Sequence, residues 1–181
     1  MDKSTATVRL VAQLQLAYSG ELAAAYAYRG HWRSLRDSHE RDEVRKIEED
    51  EWHHRRLVGG ILSGLGARPR RAREARAWLI GRTLGLLCHV SGWFLPMYGA
   101  GRLERRNIVE YEEAADYATA CGRGDIIECL LGMAEVEWDH ELYFRSKVEG
   151  HAWSRLFRVW DRPPARETIR SRYAGGGLEH G

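Results

Sequence analysis

Two short stretches of this chain have the residue types and the spacing of a metal site. Residues 51–54 read Glu-Trp-His-His and residues 137–140 read Glu-Trp-Asp-His, so each contains the pattern Glu-x-x-His. On a helix, side chains three positions apart share one face and can bind the same ion. A lone glutamate precedes each motif, and two such pairs form the ligand set of a di-metal carboxylate helical bundle. The predicted ligands are Glu21, Glu51, His54, Glu110, Glu137 and His140.

The hydrophobic pattern around these residues predicts that they face a core rather than water. Ile47 and Val58 flank the motif at Glu51 at helical spacing, and similar apolar lines pass through the other predicted ligands. Buried carboxylates are unfavourable unless they are paired or bind a cation, which favours metal binding. The alternative is a set of solvated charges that fall in phase by chance. That interpretation fits the residues off the apolar line, which are Glu48, Glu49, Asp50 and His53.

Both pairs of predicted carboxylates are equidistant from a predicted turn. In an antiparallel helical hairpin, such residues lie at the same height. The midpoint of Glu21 and Glu51 falls just before Asp37, which can cap a helix. The midpoint of the second pair falls at residues 122–124, where Gly122 can end a helix. Each predicted site therefore lies about 20 Å from its turn.

Composition limits the class of protein. A chain of 181 residues with 44% hydrophobic residues and four prolines is long enough for one domain of long helices. The net charge of +2 is too small to indicate nucleic-acid binding. The three cysteines form no Cys-x-x-Cys pair, which argues against an iron–sulfur cluster or a disulfide framework. The first residues do not have the pattern of a signal peptide, so we expect a cytoplasmic protein.

The predicted architecture is all-α. The helices are expected at about residues 4–34, 38–65, 102–121 and 125–149, which form a four-helix bundle of two hairpins. A long apolar helical crossover, at about residues 67–101, joins the second helix to the third. The main domain is expected to cover residues 1–161 and to end in a short helix. Residues 162–181 are predicted to form a basic, glycine-ending flexible tail.

The crossover combines an arginine-rich start with a strongly apolar continuation. Residues 68–73 contain four arginines and a proline, and residues 77–101 are mostly apolar with Trp78, Trp93 and Tyr98 among them. The arginine, the glycines and the proline within this segment argue against a simple membrane span. One interpretation is an amphipathic segment in the interface of a membrane, with the aromatic residues at headgroup depth. The other is a fifth helix buried against the bundle.

The order of these features resembles the demethoxyubiquinone hydroxylase family, which consists of membrane-associated, ferritin-like di-iron monooxygenases. The likeness covers roughly residues 10–149. Residues 19–24, Ser-Gly-Glu-Leu-Ala-Ala, resemble the first ligand segment of that family, and Glu110 with Tyr117 seven residues on resembles the third. The resemblance implies that all six predicted ligands bind iron and that Tyr117 is a tyrosine on the substrate side. Asp116 stands where the family has a histidine, and it is a candidate for orienting a ligand histidine.

These features predict a di-iron monooxygenase that hydroxylates a lipophilic, quinone-like aromatic compound with dioxygen, and the resemblance implies a role in ubiquinone biosynthesis. The expected cofactors are two iron ions, with manganese as an option, and an external reductant is required. The expected partners are the lipophilic substrate, the inner face of the cell membrane and further copies of the chain, but no nucleic acid. We expect a peripheral location at that membrane face.

Three other functions are compatible with the sequence. One is iron handling without an organic substrate, as in ferritin-type ferroxidase and storage. Another is hydroxylation of a different substrate such as tRNA, which Arg166, Arg170 and Arg172 in the basic tail would contact. The third is a metal-free structural bundle, against which the predicted burial of the carboxylates argues.

Overall fold

The computed structural model describes residues 1–174, and the regular elements within that range are all helical. Two 3₁₀ turns accompany the longer helices, one at Gly124–Ile126 and one at Ala152–Arg155. No strand occurs in these residues, so the predicted all-α class is confirmed. The α-helices are α1 (Lys3–Ser34), α2 (Ser38–Gly64), α3 (Arg71–Leu87), α4 (Phe94–Cys121), α5 (Ile127–Val148) and α6 (Glu167–Ala174).

The chain consists of two compact units, one from Met1 to Met97 and the other from Tyr98 onward. In the first unit α1 packs against both α2 and α3. The turn between α1 and α2 begins at Leu35, and the side chain of Asp37 accepts a hydrogen bond from the backbone N–H of Glu40 at 2.8 Å. This bond satisfies one of the free N–H groups at the start of α2, as the sequence predicted.

Helix α3 lies within the predicted crossover. It packs on α1 through alanine and glycine residues. Its buried residues are Ala77, Gly81 and Gly85, which recur every four positions and form one narrow stripe. A Cβ atom added to Gly81 would collide with the carbonyl oxygen of Ala23 on α1. Glycine at this position therefore allows the backbones of α1 and α3 to approach each other this closely.

The rest of α3 and the residues after it present apolar side chains to the outside of this unit. Packing on α1 agrees with the interpretation of a fifth helix, but only the narrow stripe is covered. Among the described residues, no helix is both long enough and apolar enough to cross a membrane. The exposed apolar residues of this segment are Trp78, Leu79, Ile80, Leu84, Leu86, Leu87 and Val90.

Helix α4 begins eight residues earlier than the sequence predicted, at Phe94 rather than at about residue 102. The crossover was predicted to extend to about residue 101, and it includes Pro96 and two nearby glycines, which are unfavourable inside a helix. However, Pro96 lies in the first turn, where backbone N–H groups have no partner within the helix and proline is tolerated. Met97 and Ala100 are buried, so packing overrides the weak helix propensity of the glycines.

The turn between α4 and α5 forms at the predicted glycine. Gly122 has a φ of 79°, the left-handed conformation that glycine adopts without strain. The backbone N–H groups of Gly122 and Arg123 donate to the carbonyls of Thr119 and Ala118, and together they close the end of α4. Asp125, which lies just before α5, does not cap that helix. Its carboxylate instead binds the guanidinium of Arg123 at 2.7 and 2.8 Å.

The C-terminal segment contains more structure than the predicted flexible tail. Residues Glu167–Ala174 form α6, and Ile169 on that helix is buried. Arg170 donates to both carboxylate oxygens of Glu135 at 2.7 and 2.8 Å and also pairs with Glu128. The remaining part of the predicted tail, residues 175–181, lies outside the described residues.

Substitution of Gly81 by Ala is expected to destabilise the protein by about 1–3 kcal/mol, because the new methyl group would push α3 away from α1. Gly60 on α2 is the matched control, since a Cβ atom there would meet nothing within 4 Å. Gly60→Ala should stabilise the protein by about 0.5–1 kcal/mol through helix propensity. Urea denaturation followed by circular dichroism measures both effects, and a loss of stability in both variants would contradict the close helix contact.

Candidate metal centre

The α1–α2 hairpin carries three of the predicted ligands on its buried faces. Glu51 on α2 is fully inaccessible, and Glu21 on α1 and His54 on α2 retain only 3% and 2% of their exposure. Each lies on the apolar line of its helix, as the sequence predicted. On α2 the buried line includes Val44, Ile47, Glu51, His54, Val58 and Ile61.

The second unit carries the other Glu-x-x-His motif on α5. Glu137 and His140 are both buried, and the Nδ1 atom of His140 lies 3.6 Å from a carboxylate oxygen of Glu137. This distance is too long for a strong hydrogen bond, but it places both groups on one face, one turn apart. Helix α4 contributes a further fully buried carboxylate, that of Glu104.

Oxygen and nitrogen atoms of these side chains lie close together in two overlapping sets. Within each set, one ligand atom of every residue lies within 4.8 Å of those of the others, so each set could hold a metal ion. Five of the six predicted ligands are members, and Glu137 belongs to both sets. The first set consists of Glu51, Glu104, Glu137 and His140, and the second of Glu21, His54 and Glu137.

The structure does not bring the sixth predicted ligand, Glu110, into either set. Its carboxylate accepts a hydrogen bond from Nε of Arg106 at 2.6 Å, and that arginine is largely exposed. Glu104 is the carboxylate of α4 that joins the cluster instead. The two glutamates are six residues apart, which corresponds to about 9 Å along the helix and a different face.

Two features of α4 explain why the sequence pointed to Glu110 rather than Glu104. The apolar line through Glu110 includes Leu103, which is partly exposed, so it does not define the core. In addition, the position halfway between Glu110 and Glu137 lies in the connection between α4 and α5. The position halfway between Glu104 and Glu137 lies inside the end of α4, so the criterion of equal distance from a turn favoured Glu110. The signal that was present is the buried line Met97, Ala100, Glu104, Ile108, Tyr111, Ala115 and Ala118.

The two predicted substrate-side residues are not among the fully buried side chains. Asp116 is exposed and accepts a hydrogen bond from the hydroxyl of Tyr173 on α6 at 2.6 Å, so it does not orient a ligand histidine. Burial raises the pKa of Tyr173, and the hydrogen bond to Asp116 raises it further. Tyr117 is only partly buried. Tyr111, which the sequence pattern did not identify, is buried seven residues after Glu104.

Two other buried carboxylates near the cluster are neutralised by arginine. Glu48 was predicted to be solvated, yet it is buried and accepts hydrogen bonds from Arg29 and from two tryptophan indoles. Glu141, which follows His140, binds Arg145 at 2.6 Å and also accepts from Trp160. Burial of these two charges is therefore compensated by charge-assisted hydrogen bonds.

The donor set of the cluster fits two divalent cations. It contains four carboxylates and two imidazoles, so its negative charge matches the positive charge of two such ions. Carboxylate oxygen and imidazole nitrogen suit iron and manganese, while the absence of thiolate from both sets argues against a zinc–sulfur site. All six donors project from long helices, which hold ligands more rigidly than loops do.

Comparisons with protein-family models, with curated proteins and with solved structures found no match for this chain.

Substitution of Glu104 by Gln is expected to remove at least half of the tightly bound metal, because an amide neither supplies charge nor binds a hard cation as strongly. Glu110→Gln on the same helix is the matched control, and it should retain the metal content of the unaltered protein. Elemental mass spectrometry after reconstitution with ferrous iron under anaerobic conditions gives both values. If Glu110→Gln lost metal and Glu104→Gln did not, the assignment on α4 would be reversed.

Proposed function

We propose that this chain is a di-iron oxidoreductase that hydroxylates a lipophilic, quinone-like aromatic compound with dioxygen. The observation that carries the proposal is the pair of overlapping ligand sets, in which one carboxylate, Glu137, belongs to both. A shared carboxylate is the expected arrangement when two metal ions lie side by side. Bound iron would supply electrons and open coordination positions for dioxygen.

A ferritin-like four-helix arrangement is part of this proposal. Bundles of that class take one glutamate from each of two helices and one Glu-x-x-His motif from each of the other two. Helices α1 and α4 carry the lone glutamates here, while α2 and α5 carry the motifs. Helix α3 would belong to the crossover that joins α2 to α4 along the chain.

The roles of the surrounding residues follow from their chemistry. The carboxylates would balance the metal charge, and the imidazoles of His54 and His140 would complete the coordination as neutral donors. The apolar residues on the same helix faces exclude water from the site, which strengthens electrostatic interactions there. We assign the substrate-side position to Tyr111 rather than Tyr117, because Tyr111 is buried and has the expected spacing from Glu104. Its hydroxyl could orient an oxygen atom of the substrate.

The outward face of α3 supports the choice of a lipophilic substrate and a membrane surface. It carries exposed Trp78 and several leucines, and Arg70, Arg71 and Arg73 lie at the start of the same helix. Such a combination binds at the interface of an anionic membrane, with aromatic rings at headgroup depth and arginines near lipid phosphates. We infer that the substrate is a compound dissolved in the membrane.

The contacts of the basic C-terminal segment disfavour the alternative substrate tRNA. Arg166 binds Asp139 through two hydrogen bonds, and Arg172 lies within ion-pair distance of Glu112. Arg170 is held by two carboxylates, and its hydrogen bonds to Glu135 lower the pKa of that carboxyl group. RNA phosphates would have to displace these pairs, whereas exposed unpaired arginines would bind phosphate directly.

A single-turnover reaction tests the proposed function without an added reductant. Two ferrous ions supply two electrons, so one dioxygen molecule and two protons can convert one aromatic C–H bond to C–OH and release one water molecule. We expect oxygenated product, detected by mass spectrometry with ¹⁸O₂, when the iron-loaded protein is mixed with a lipophilic quinone or phenol in detergent. Glu51→Gln should form no product.

Two other outcomes would change the assignment. Oxidation of the iron without oxygenation of any lipophilic quinone or phenol would contradict the substrate proposal and favour ferroxidase activity. A large closed assembly in gel filtration would support iron storage, since storage requires a cage. The exposed apolar face of α3 makes such a soluble cage unfavourable.

Membrane binding is expected to depend on α3. Leu79 and Leu86 are 60% and 71% exposed, and replacing both by Glu should reduce binding to vesicles of phosphatidylcholine and phosphatidylglycerol by about tenfold or more. Leu142→Glu, an exposed leucine on α5, is the control and should bind normally. Vesicle sedimentation measures the bound fraction, and equal binding by all three proteins would contradict a role for this face.

A further inference from the structure

The segment that follows α5 presents large apolar side chains to the outside of the second unit. Leu156 is 81% exposed and Trp153 is 50% exposed. The ring of Phe157 lies beside that of Trp153, with 6.3 Å between the ring centroids and an interplanar angle of 22°. We call these three residues the C-terminal apolar surface. An exposed apolar surface is typical of a place where a protein contacts a partner or a membrane.

A row of aromatic rings attaches the C-terminal apolar surface to α4. The ring of Tyr98 on α4 lies next to that of Phe157, with 5.6 Å between the centroids. The ring of Trp160 lies on from Tyr98, at a centroid distance of 5.5 Å. The hydroxyl of Tyr98 also donates to the backbone carbonyl of Arg158 at 2.8 Å. These contacts hold the apolar side chains in a defined position on the second unit.

Trp160 fastens this segment to α4 and α5. Its indole N–H donates to the buried carboxylate of Glu141 at 2.6 Å. Arg145 lies 5.1 Å from the indole ring and donates to the backbone carbonyl of Trp160 at 3.2 Å. The ring fills the space that a Cβ atom on Gly101 of α4 would need. Trp160 is therefore packed against the helices, whereas Leu156 and Trp153 remain at the surface.

Arginines accompany the C-terminal apolar surface. Arg155 and Arg158 are exposed in the same segment, and Arg102 is exposed on α4. A groove of about 460 Å³ between α4 and residues 156–161 is lined by both Arg102 and Arg158. Its lining also includes Asp161, one carboxylate oxygen of which lies 3.5 Å from a guanidinium nitrogen of Arg158. Three arginines and one aspartate give this region a positive charge, which attracts anionic partners.

An anionic membrane offers both features that such a surface can bind. Its phosphates are negative, and apolar acyl chains lie beneath them, so leucine and tryptophan can insert while arginines remain at the phosphates. A second copy of the chain is a poorer occupant. In a symmetric dimer it would place the same arginines against this surface, where like charges repel each other. The charges therefore favour lipid.

We propose that the C-terminal apolar surface is a second membrane contact, on different elements of the chain from the outward face of α3. Leu156 and Trp153 insert into the membrane interface, and Arg102 and Arg158 bind the phosphate of an anionic phospholipid. This inference rests on the membrane association in the proposed function, to which it adds a second binding surface and a preference for anionic lipid. Because it involves other residues than those of α3, it can be tested separately.

Sedimentation of the full chain with vesicles tests the apolar part of this contact. The vesicles contain phosphatidylcholine alone or its mixture with phosphatidylglycerol. Leu156→Glu should lower binding to the mixed vesicles by about tenfold or more, because an inserted leucine is lost and a negative charge is added. Leu142→Glu makes the same change at an exposed position of α5 and should bind normally. Circular dichroism verifies that each variant is folded.

A pair of arginine substitutions tests the preference for anionic lipid. Arg102→Gln combined with Arg158→Gln should lower binding to the mixed vesicles by about tenfold, and should change binding to phosphatidylcholine alone by less than about twofold. Arg45→Gln combined with Arg123→Gln is the matched control. It removes the same charge from two arginines that pair with carboxylates elsewhere, and binding to the mixed vesicles should fall by less than about threefold.

The outcomes separate this contact from the membrane association on which it rests. Normal binding by both Leu156→Glu and the Arg102/Arg158 variant, with loss of binding only in the α3 variant, would overturn the second contact and leave the proposed membrane association intact. Failure of the unaltered protein to bind either kind of vesicle would contradict both. A dimer that dissociates in Leu156→Glu while vesicle binding stays normal would assign the surface to a second copy and overturn the lipid proposal.

Discussion

The buried carboxylates on these helices determine much of the structure around them. An ionised carboxylate taken out of water costs on the order of several kcal/mol unless positive charge or hydrogen bonds replace the lost hydration. The chain meets this cost in two ways on the same helices. Glu48 and Glu141 are bonded to Arg29 and Arg145 and to tryptophan indoles. The four carboxylates of the two ligand sets are accompanied by two histidines, a composition that metal ions satisfy better than side chains do.

A second constraint is the close contact between α1 and α3. Because the buried stripe of α3 is made of alanine and glycine, the helix lies flat on α1 and has almost no side chains of its own in the interior. Its large apolar residues consequently remain on the outside. The proposal of membrane binding depends on this exposed apolar surface.

The sequence predicted the helical class, the first hairpin and the burial of five candidate ligands, because each of these follows from a local pattern. Asp37 and Gly122 acted at the predicted turns, and the apolar lines through Glu21, Glu51 and Glu137 are buried. The face of α4 was not predictable in the same way. Both Glu104 and Glu110 have apolar neighbours at helical spacing, and only packing decides which line is inside. The prediction that Glu48 is solvated was wrong for a related reason, because hydrogen bonds from Arg29 on α1 and from two tryptophan indoles compensate the burial of its charge. Such partners cannot be read from spacing alone.

The number of metal ions bound per chain is the most direct test of the central claim. The protein is stripped of metal, reconstituted with ferrous iron without oxygen, freed of excess iron and analysed by elemental mass spectrometry against protein concentration. Two overlapping ligand sets predict about two iron ions per chain. One ion per chain would contradict the di-metal assignment, and none would contradict metal binding by the buried carboxylates altogether.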